Sequence, residues 1–183
     1  MADSWAKAIN ADNEISPEVI DKWFQENIKH HEAKPKLAKL HFFAHEEVTA
    51  DHPTNLLIAP ANTGNIASTQ FGSTYVLDAP LTSGSDPTSK LVGRMQGSVS
   101  YVGQAEPVLS VSVHFVFTQG EYKDSSLCVL ARNPISQKYR ELPVLGGTGA
   151  FRLARGTAVG NTFTVDSEKL NAVVEFHVVV RHY

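Results

Sequence analysis

The chain has 183 residues, with 16 basic against 19 acidic side chains, 42% hydrophobic and 9% aromatic residues, and a single cysteine. One domain of that size buries a core without covalent staples, and a lone Cys excludes both an internal disulfide and a four-thiolate zinc site. A net charge of −3 with scattered signs lacks the basic footprint of a nucleic-acid binder or of a membrane-surface patch, and no apolar run approaches the roughly 18 residues that a membrane helix needs.

The first 36 residues are polar, charged and free of glycine. Within them Ser16-Pro17 reads as an N-cap followed by proline at the first helical position. Val19, Ile20, Trp23, Phe24 and Ile28 then recur at helical spacing, so a short amphipathic helix is expected, ended before Pro35. It is either an interaction helix or an arm of the main domain. The opening segment lacks the basic-then-apolar layout of a secretory signal, which fits a cytosolic protein or a mature form of a secreted one.

From Leu37 the pattern changes to short runs rich in β-branched and aromatic residues, separated by Gly, Pro, Asp, Asn and Ser. Nine such runs are expected: 37–48, 55–59, 68–77, 91–102, 108–117, 125–131, 140–145, 156–165 and 172–182. No helical pattern intervenes, which argues against parallel βαβ units and leaves an antiparallel barrel or sandwich. The predicted boundary between the extension and the β domain lies between residues 36 and 37.

Period two places Leu40, Phe42, Ala44, Glu46 and Val48 on one face, opposite His41, Phe43, His45 and Glu47. A carboxylate in line with Leu, Phe and Val has two readings. Either Glu46 sits where the strand end reaches water, or its carboxyl is held in an apolar pocket where desolvation raises its pKa toward acid–base work near neutral pH. In the run 111–117 the same parity sets Val111, Val113, Phe115 and Phe117 against Ser112, His114 and Val116.

Other chemistries fit less well. Gly146-Gly147-Thr148-Gly149 is followed by no Lys-Ser or Lys-Thr and no helix, so it reads as a tight corner and not a phosphate cradle. His30, His31, His41 and His45 form a local cluster, yet no HExxH stands on a helix and no metal ligand set is predicted. Cys128 is flanked by apolar residues and reads as an inert core thiol. No GxSxG element marks a hydrolase nucleophile.

The segment from Leu142 to Gly156, LPVLGGTGAFRLARG, preceded by Ala131-Arg132-Asn133-Pro134 and Arg140-Glu141, resembles the signature of plant dirigent proteins. Further matches follow in order: Lys39 to Glu46, Phe71-Gly72-Ser73, Asp78 to Thr82, Leu91 to Gly97 and Val174 to Val178. The resemblance spans roughly residues 37–183.

It implies an all-β fold, an eight-stranded antiparallel barrel with a short N-terminal helical extension, assembling as a homotrimer. Each barrel would hold a small phenolic substrate derived from phenylpropanoids, with no cofactor and no oxidising centre. An external laccase or peroxidase would supply phenoxy radicals, and the protein would bias their coupling toward one stereochemical product in lignan or defence phenolic synthesis. Pterocarpan synthases, which resemble the same pattern, act instead on a quinone methide formed by loss of water and direct its cyclisation. The Arg132-Asn133-Pro134 and Arg140 to Val144 variants look nearer to that branch. A carbohydrate- or phenolic-binding defence module without turnover is the third reading, and whether the chain is an enzyme in its own right stays open.

Carried over by motif, Glu46, Asn133 and Arg140 are the candidate catalytic residues, and Phe42, Tyr101, His114 and His177 the candidate substrate-binding ones. Glu46 would exchange protons with the intermediate, and Arg140 would stabilise a phenolate-like oxygen as charge develops. The sequence also departs from the family's pattern. Glu46 stands where Asp is usual, Ala79 replaces an acid, and Val99 stands where many members have a pocket tyrosine, with Tyr101 in the same strand parity. His114 and His177 replace residues that are often Asn, and an imidazole enters the site if either faces the interior. The family is usually secreted to the apoplast and glycosylated; no Asn here begins an Asn-x-Ser/Thr sequon, so a cytosolic location is the alternative.

Overall fold

Alternating apolar residues dominate the chain after residue 35, and they fold as nine antiparallel strands. The computed structural model describes residues 34–61, 70–166 and 168–183, together with Glu18, Asp21, Lys22, Gln25 and Glu26. Contacts divide the chain into two units, Met1–Lys34 and Pro35–Tyr183. In the first, those five isolated positions are helical and exposed, and Lys22 and Glu26 approach to 4.0 Å one turn apart. The apolar positions expected on that helix, Val19, Ile20, Trp23, Phe24 and Ile28, lie outside the described residues, as do the capping Ser16 and Pro17.

The strands of the second unit are β1 (Lys36–Glu46), β2 (Asn55–Ala59), β3 (Thr74–Thr82), β4 (Leu91–Tyr101), β5 (Val108–Phe117), β6 (Ser125–Pro134), β7 (Arg140–Thr148), β8 (Arg155–Asp166) and β9 (Asn171–His182). They pair in the order β1-β9-β8-β7-β6-β5-β4-β3-β2, and an additional β1–β3 pairing closes the sheet. The result is a closed antiparallel barrel of eight strands, with β2 as a ninth strand laid along β3.

The third expected strand, 68–77, is displaced: β3 runs from Thr74 to Thr82. Its early end is blocked by a turn in which Gln70 (φ 53°) and Gly72 (φ 94°) take left-handed backbone. Its late end passes through Pro80, which in sequence reads as a breaker. Pro80 is tolerated because β3 changes partners there. Pairing with β2 ends at Leu77 and pairing with β1 begins at Leu81, so the missing N–H falls between the two ladders. The glycine-rich segment 146–149, expected as a tight corner, instead completes β7 through Thr148, and the turn begins only at Gly149. A side chain on Gly147 would meet the Ser126 carbonyl at 2.1 Å, and Gly149 (φ 60°) turns the chain into a 3-10 turn that buries Phe151.

Inside the barrel, period two is clearest along β5, β6, β7 and the second half of β9. Phe42, Phe115, Leu127, Val129, Val144, Phe151, Val178 and Val180 are almost fully buried. Phe42 packs edge-on against Phe115 at 5.0 Å and Phe117 at 6.0 Å between centroids, and Phe115 meets Phe176 at 5.0 Å. These rings fill one half of the barrel; an eight-stranded barrel is just wide enough for side chains to do so. Cys128 is not in this core: it is half-buried on the outward face of β6, opposite His114 of β5.

The closing seam is short, with Phe43 opposite Thr82 and Ala44 opposite Leu81. His45 reinforces it from the outside. Its Nε2 lies 2.7 Å from Thr82 Oγ1, and the Thr82 hydroxyl donates its one proton to the Gly84 carbonyl at 2.7 Å. His45 Nε2 must therefore be the donor, which in the neutral ring means the Nε2–H tautomer. Burial lowers the His45 pKa from 6.5, against the opposing pull of Glu47 and Asp86. The folded state thus prefers the neutral ring. The stability this confers is present above pH 6.5 and is lost as pH falls through the lower folded value. Urea denaturation between pH 7.5 and 5 is expected to show a falling midpoint, and His45→Gln, which keeps a donor but cannot titrate, is expected to flatten that dependence.

Candidate functional site

Antiparallel strands bring the ends of β1, β4, β6 and β8 to the same rim as the starts of β3, β5, β7 and β9. The cavity of about 510 Å³ lies at this rim, lined by Glu46, Asn55, Gln70, Tyr75, Met95, Val99, Tyr101, Leu109, Val111, Val113, Asn133, Ile135, Arg140, Val174 and Phe176 among others. The volume suits one small organic ligand. The walls are mostly Val, Leu, Met and aromatic, and the polar groups are few.

Glu46 ends β1 on the inward parity of Phe42 and Ala44. Burial pushes its carboxyl above the ordinary value, opposed by a hydrogen bond from Asn55 and by the charge of Arg140. Asn55 Nδ2 donates to Glu46 Oε2 at 3.2 Å. Thr54 Oγ1 lies 3.1 Å from Asn55 Oδ1, where it can donate, which turns the amide NH₂ toward the carboxyl. Arg140 opens β7 in phase with Leu142 and Val144, both buried. It is itself only 3% exposed, and its pKa is lowered by desolvation and raised in part by Glu46. Nη1 donates to the Gln137 carbonyl at 3.1 Å. Gly160 of β8 pairs with Arg140, and a Cβ there would press first on the Phe176 ring at 3.3 Å, with Arg140 Nη2 in ordinary contact at 3.6 Å.

Two buried polar atoms among the described residues lack a partner: Arg140 Nε and Asn133 Oδ1. Both residues line the cavity. Buried unpaired donors and acceptors are costly and scarce, and here one of each belongs to a residue facing an apolar-walled space. Tyr101 adds a phenol whose pKa is raised by burial and by the neighbouring Tyr75 and Glu46, so it stays protonated at neutral pH. Tyr75 packs against it at 6.3 Å and donates to Gln70 Oε1 at 3.3 Å.

Of the residues singled out from sequence, Glu46, Asn133, Arg140 and Tyr101 are thus gathered round one cavity. Phe42, His114 and His177 are not. Phe42 belongs to the packed half of the barrel, one ring below the cavity-lining Phe176, at 5.9 Å. His114 and His177 are exposed on the outward faces of β5 and β9, because the alternation that turns Val113, Phe115, Phe176 and Val178 inward turns them out. Tyr75, Asn55, Gln70 and Phe176 were missed. Tyr75 has a sequence signal, since it shares its face with Leu77, Ala79 and Leu81; Asn55 and Gln70 come from a short strand and a turn where no periodicity speaks.

Because the folded state holds Glu46 preferentially protonated, the sign of its linkage is the reverse of that for His45. The neutral carboxyl costs nothing below the ordinary carboxyl pKa of 4.5, and stability is lost as pH rises toward the raised folded value, where the buried group must ionise. Glu46→Gln, which is permanently neutral, is expected to gain stability relative to the unaltered protein between pH 4.5 and 8. Paired urea titrations at those limits measure the difference, and an unchanged difference would contradict the assigned burial.

Residues 37–181 match the family model of the dirigent-like proteins. The chain is 42% identical over 147 residues to dirigent protein 1 of Arabidopsis thaliana, covering 80% of each chain. To pterocarpan synthase 1 of Glycyrrhiza echinata it is 41% identical over 149 residues, covering 81% of this chain and 79% of that one. A solved pterocarpan synthase dirigent protein superimposes with a TM-score of 0.78 at 40% identity, covering 82% of this chain and 87% of the other. The match to the family model, the identity over most of the chain and the shared barrel agree that this protein belongs to the dirigent family.

Proposed function

We propose that the chain is a dirigent protein that binds a reactive phenylpropanoid-derived phenolic intermediate at the rim of its barrel and directs bond formation toward one stereochemical product. The observation that carries this reading is the apolar-walled cavity at which Glu46, Tyr101, Asn133 and Arg140 converge. A planar phenol would lie against Val99, Val111, Val113 and Phe176, with its oxygens at the unpaired Arg140 Nε and the Asn133 amide. Holding one face against a rigid wall leaves the other for attack, and exclusion of water suppresses competing addition. Substrate radicals would come from an external laccase or peroxidase.

A second reading has a specific support. Burial favours the protonated form of the Glu46 carboxyl, and the Arg140 charge acts on it across the cavity, which suits a pterocarpan synthase-like dehydration and ring closure. With the conjugated phenol of an isoflavanol-type alcohol bound as its phenolate, Glu46 would protonate the departing hydroxyl, so that the C–O bond breaks, water leaves and a neutral quinone methide forms. Arg140 would stabilise the negative charge on the phenolate oxygen. The carboxylate would then take the proton of the phenolic hydroxyl that closes the ring, returning Glu46 to its starting form; the net change is loss of one water.

The two are separated by supplying coniferyl alcohol with a one-electron oxidant, and an isoflavanol-type alcohol with none. Stereoselective coupling in the first identifies a radical guide, and accelerated cyclisation in the second a cyclase; racemic coupling and no acceleration would leave only a binding module. In whichever assay is active, Arg140→Ala is expected to lower the directed rate by about 10²–10³ while leaving the barrel folded by circular dichroism. Full stereocontrol in that variant would remove Arg140 from the site.

Assembly as a homotrimer and secretion to the apoplast belong to the same proposal. Exposed Leu130 and Leu145 on the outer wall of β6 and β7 provide apolar surface that subunit contact would cover. Light scattering at micromolar concentration is expected to return three times the chain mass, and a monomer would count against the trimer.

A further inference from the structure

The outer wall of β1 and β9 carries a group that the cavity does not use. His41 and His177 are direct cross-strand partners, and Glu175 lies two residues before His177 on the same outward face. Antiparallel pairing of β1 with β9 thus brings a His from one strand beside a Glu-x-His from the other. Glu175 Oε1 is 2.9 Å from His41 Nε2 and 3.2 Å from His177 Nε2. The two imidazoles stack at 4.3 Å with 16° between planes, and the three ligand atoms all fall within 4.8 Å of one another.

We propose that His41, Glu175 and His177 form a surface site for a first-row divalent cation, of which Zn²⁺ is the working case. Donors each about 2.0–2.2 Å from one ion, at tetrahedral to octahedral angles, stand roughly 3 Å from one another. The two nitrogen-to-oxygen separations already have that value, and rotation of the two rings out of their stack would turn both Nε2 lone pairs toward one ion. Two imidazoles and one carboxylate select zinc, copper or nickel over magnesium and calcium, which prefer oxygen alone.

The surrounding residues hold the ligands in place. Asn161 Nδ2 donates to Glu175 Oε2 at 3.3 Å, occupying the second carboxylate oxygen and leaving Oε1 for the rings; such outer partners orient metal ligands. The ring of His41 rests edge-on against buried Phe43 at 5.1 Å. Side-chain exposures of 45% for His41 and 59% for His177 leave the site accessible from solvent, with coordination positions open to water or to a donor from another molecule.

Calorimetric titration of the full chain with Zn²⁺ near pH 7.5 tests this. One saturable site per chain is expected, undisturbed by millimolar Mg²⁺ and removed by a chelator. His41→Gln with His177→Gln is expected to weaken that site at least tenfold, and Glu175→Gln, which keeps both rings, to weaken it about tenfold. A His30→Gln, His31→Gln, His52→Gln variant is expected to retain it. Absence of zinc binding, or undiminished affinity in both the double His variant and Glu175→Gln, would overturn the proposal.

Discussion

Closure of the sheet on itself is the constraint on which the rest of this molecule depends. Eight strands must meet edge to edge, and the join between β1 and β3 is made by only two opposed residue pairs. Everything near the seam serves it: β3 exchanges β2 for β1 at Pro80, where no N–H is needed, and the buried His45 ties the outside of the join through Thr82 to Gly84. Glu46 is the next residue along. Its position over the cavity is therefore set by the same hydrogen-bonded join that abolishes the sheet edge, and the seam and the acid cannot move independently.

Within the closed wall, volume is divided by side-chain size. Rings from β1, β5 and β9 and from the 3-10 turn after β7 pack one half to native density, while valines, Met95 and Leu109 on the other half leave space. The polar residues of that half come from strand ends, where backbone carbonyls such as that of Gln137 are near enough to hold a guanidinium. Glu46 and Arg140 shift one another's protonation in the expected directions, yet desolvation dominates both. Burial thus pushes the Glu46 carboxyl up and the Arg140 guanidinium down, and each only partly offsets that for the other.

Much of this was legible in the chain. Period two put Glu46 on the face of Phe42 and Ala44, and the dirigent-like motifs brought Asn133 and Arg140 to the same chemistry. What alternation cannot report is depth along a strand. Phe42 and Glu46 share a face, but four residues separate a packed core from a cavity, and the sequence pattern is the same in both. His114 and His177 show the converse: parity with Val113, Phe115, Phe176 and Val178 argued for the exterior, and motif position outweighed it. Tyr75 lies within the expected run 68–77, but its inward parity with Leu77, Ala79 and Leu81 shows only once β3 is seen to continue to Thr82. The proximity of His41 to Glu175, 134 residues apart, exists only once register is known.

A barrel plugged at one end by Phe42, Phe115 and Phe117 is a blind well. A guest has no passage through it, so product must back out along the route by which substrate came in, and the two compete for one doorway. Depth of penetration also decides which part of a long molecule is subject to handedness control: the portion seated against Phe176 experiences a chiral wall, and whatever projects past the rim meets only solvent. For a dimeric phenolic product, the half that entered first would carry the stereochemical imprint, and the length of the well would set where along the molecule that imprint stops.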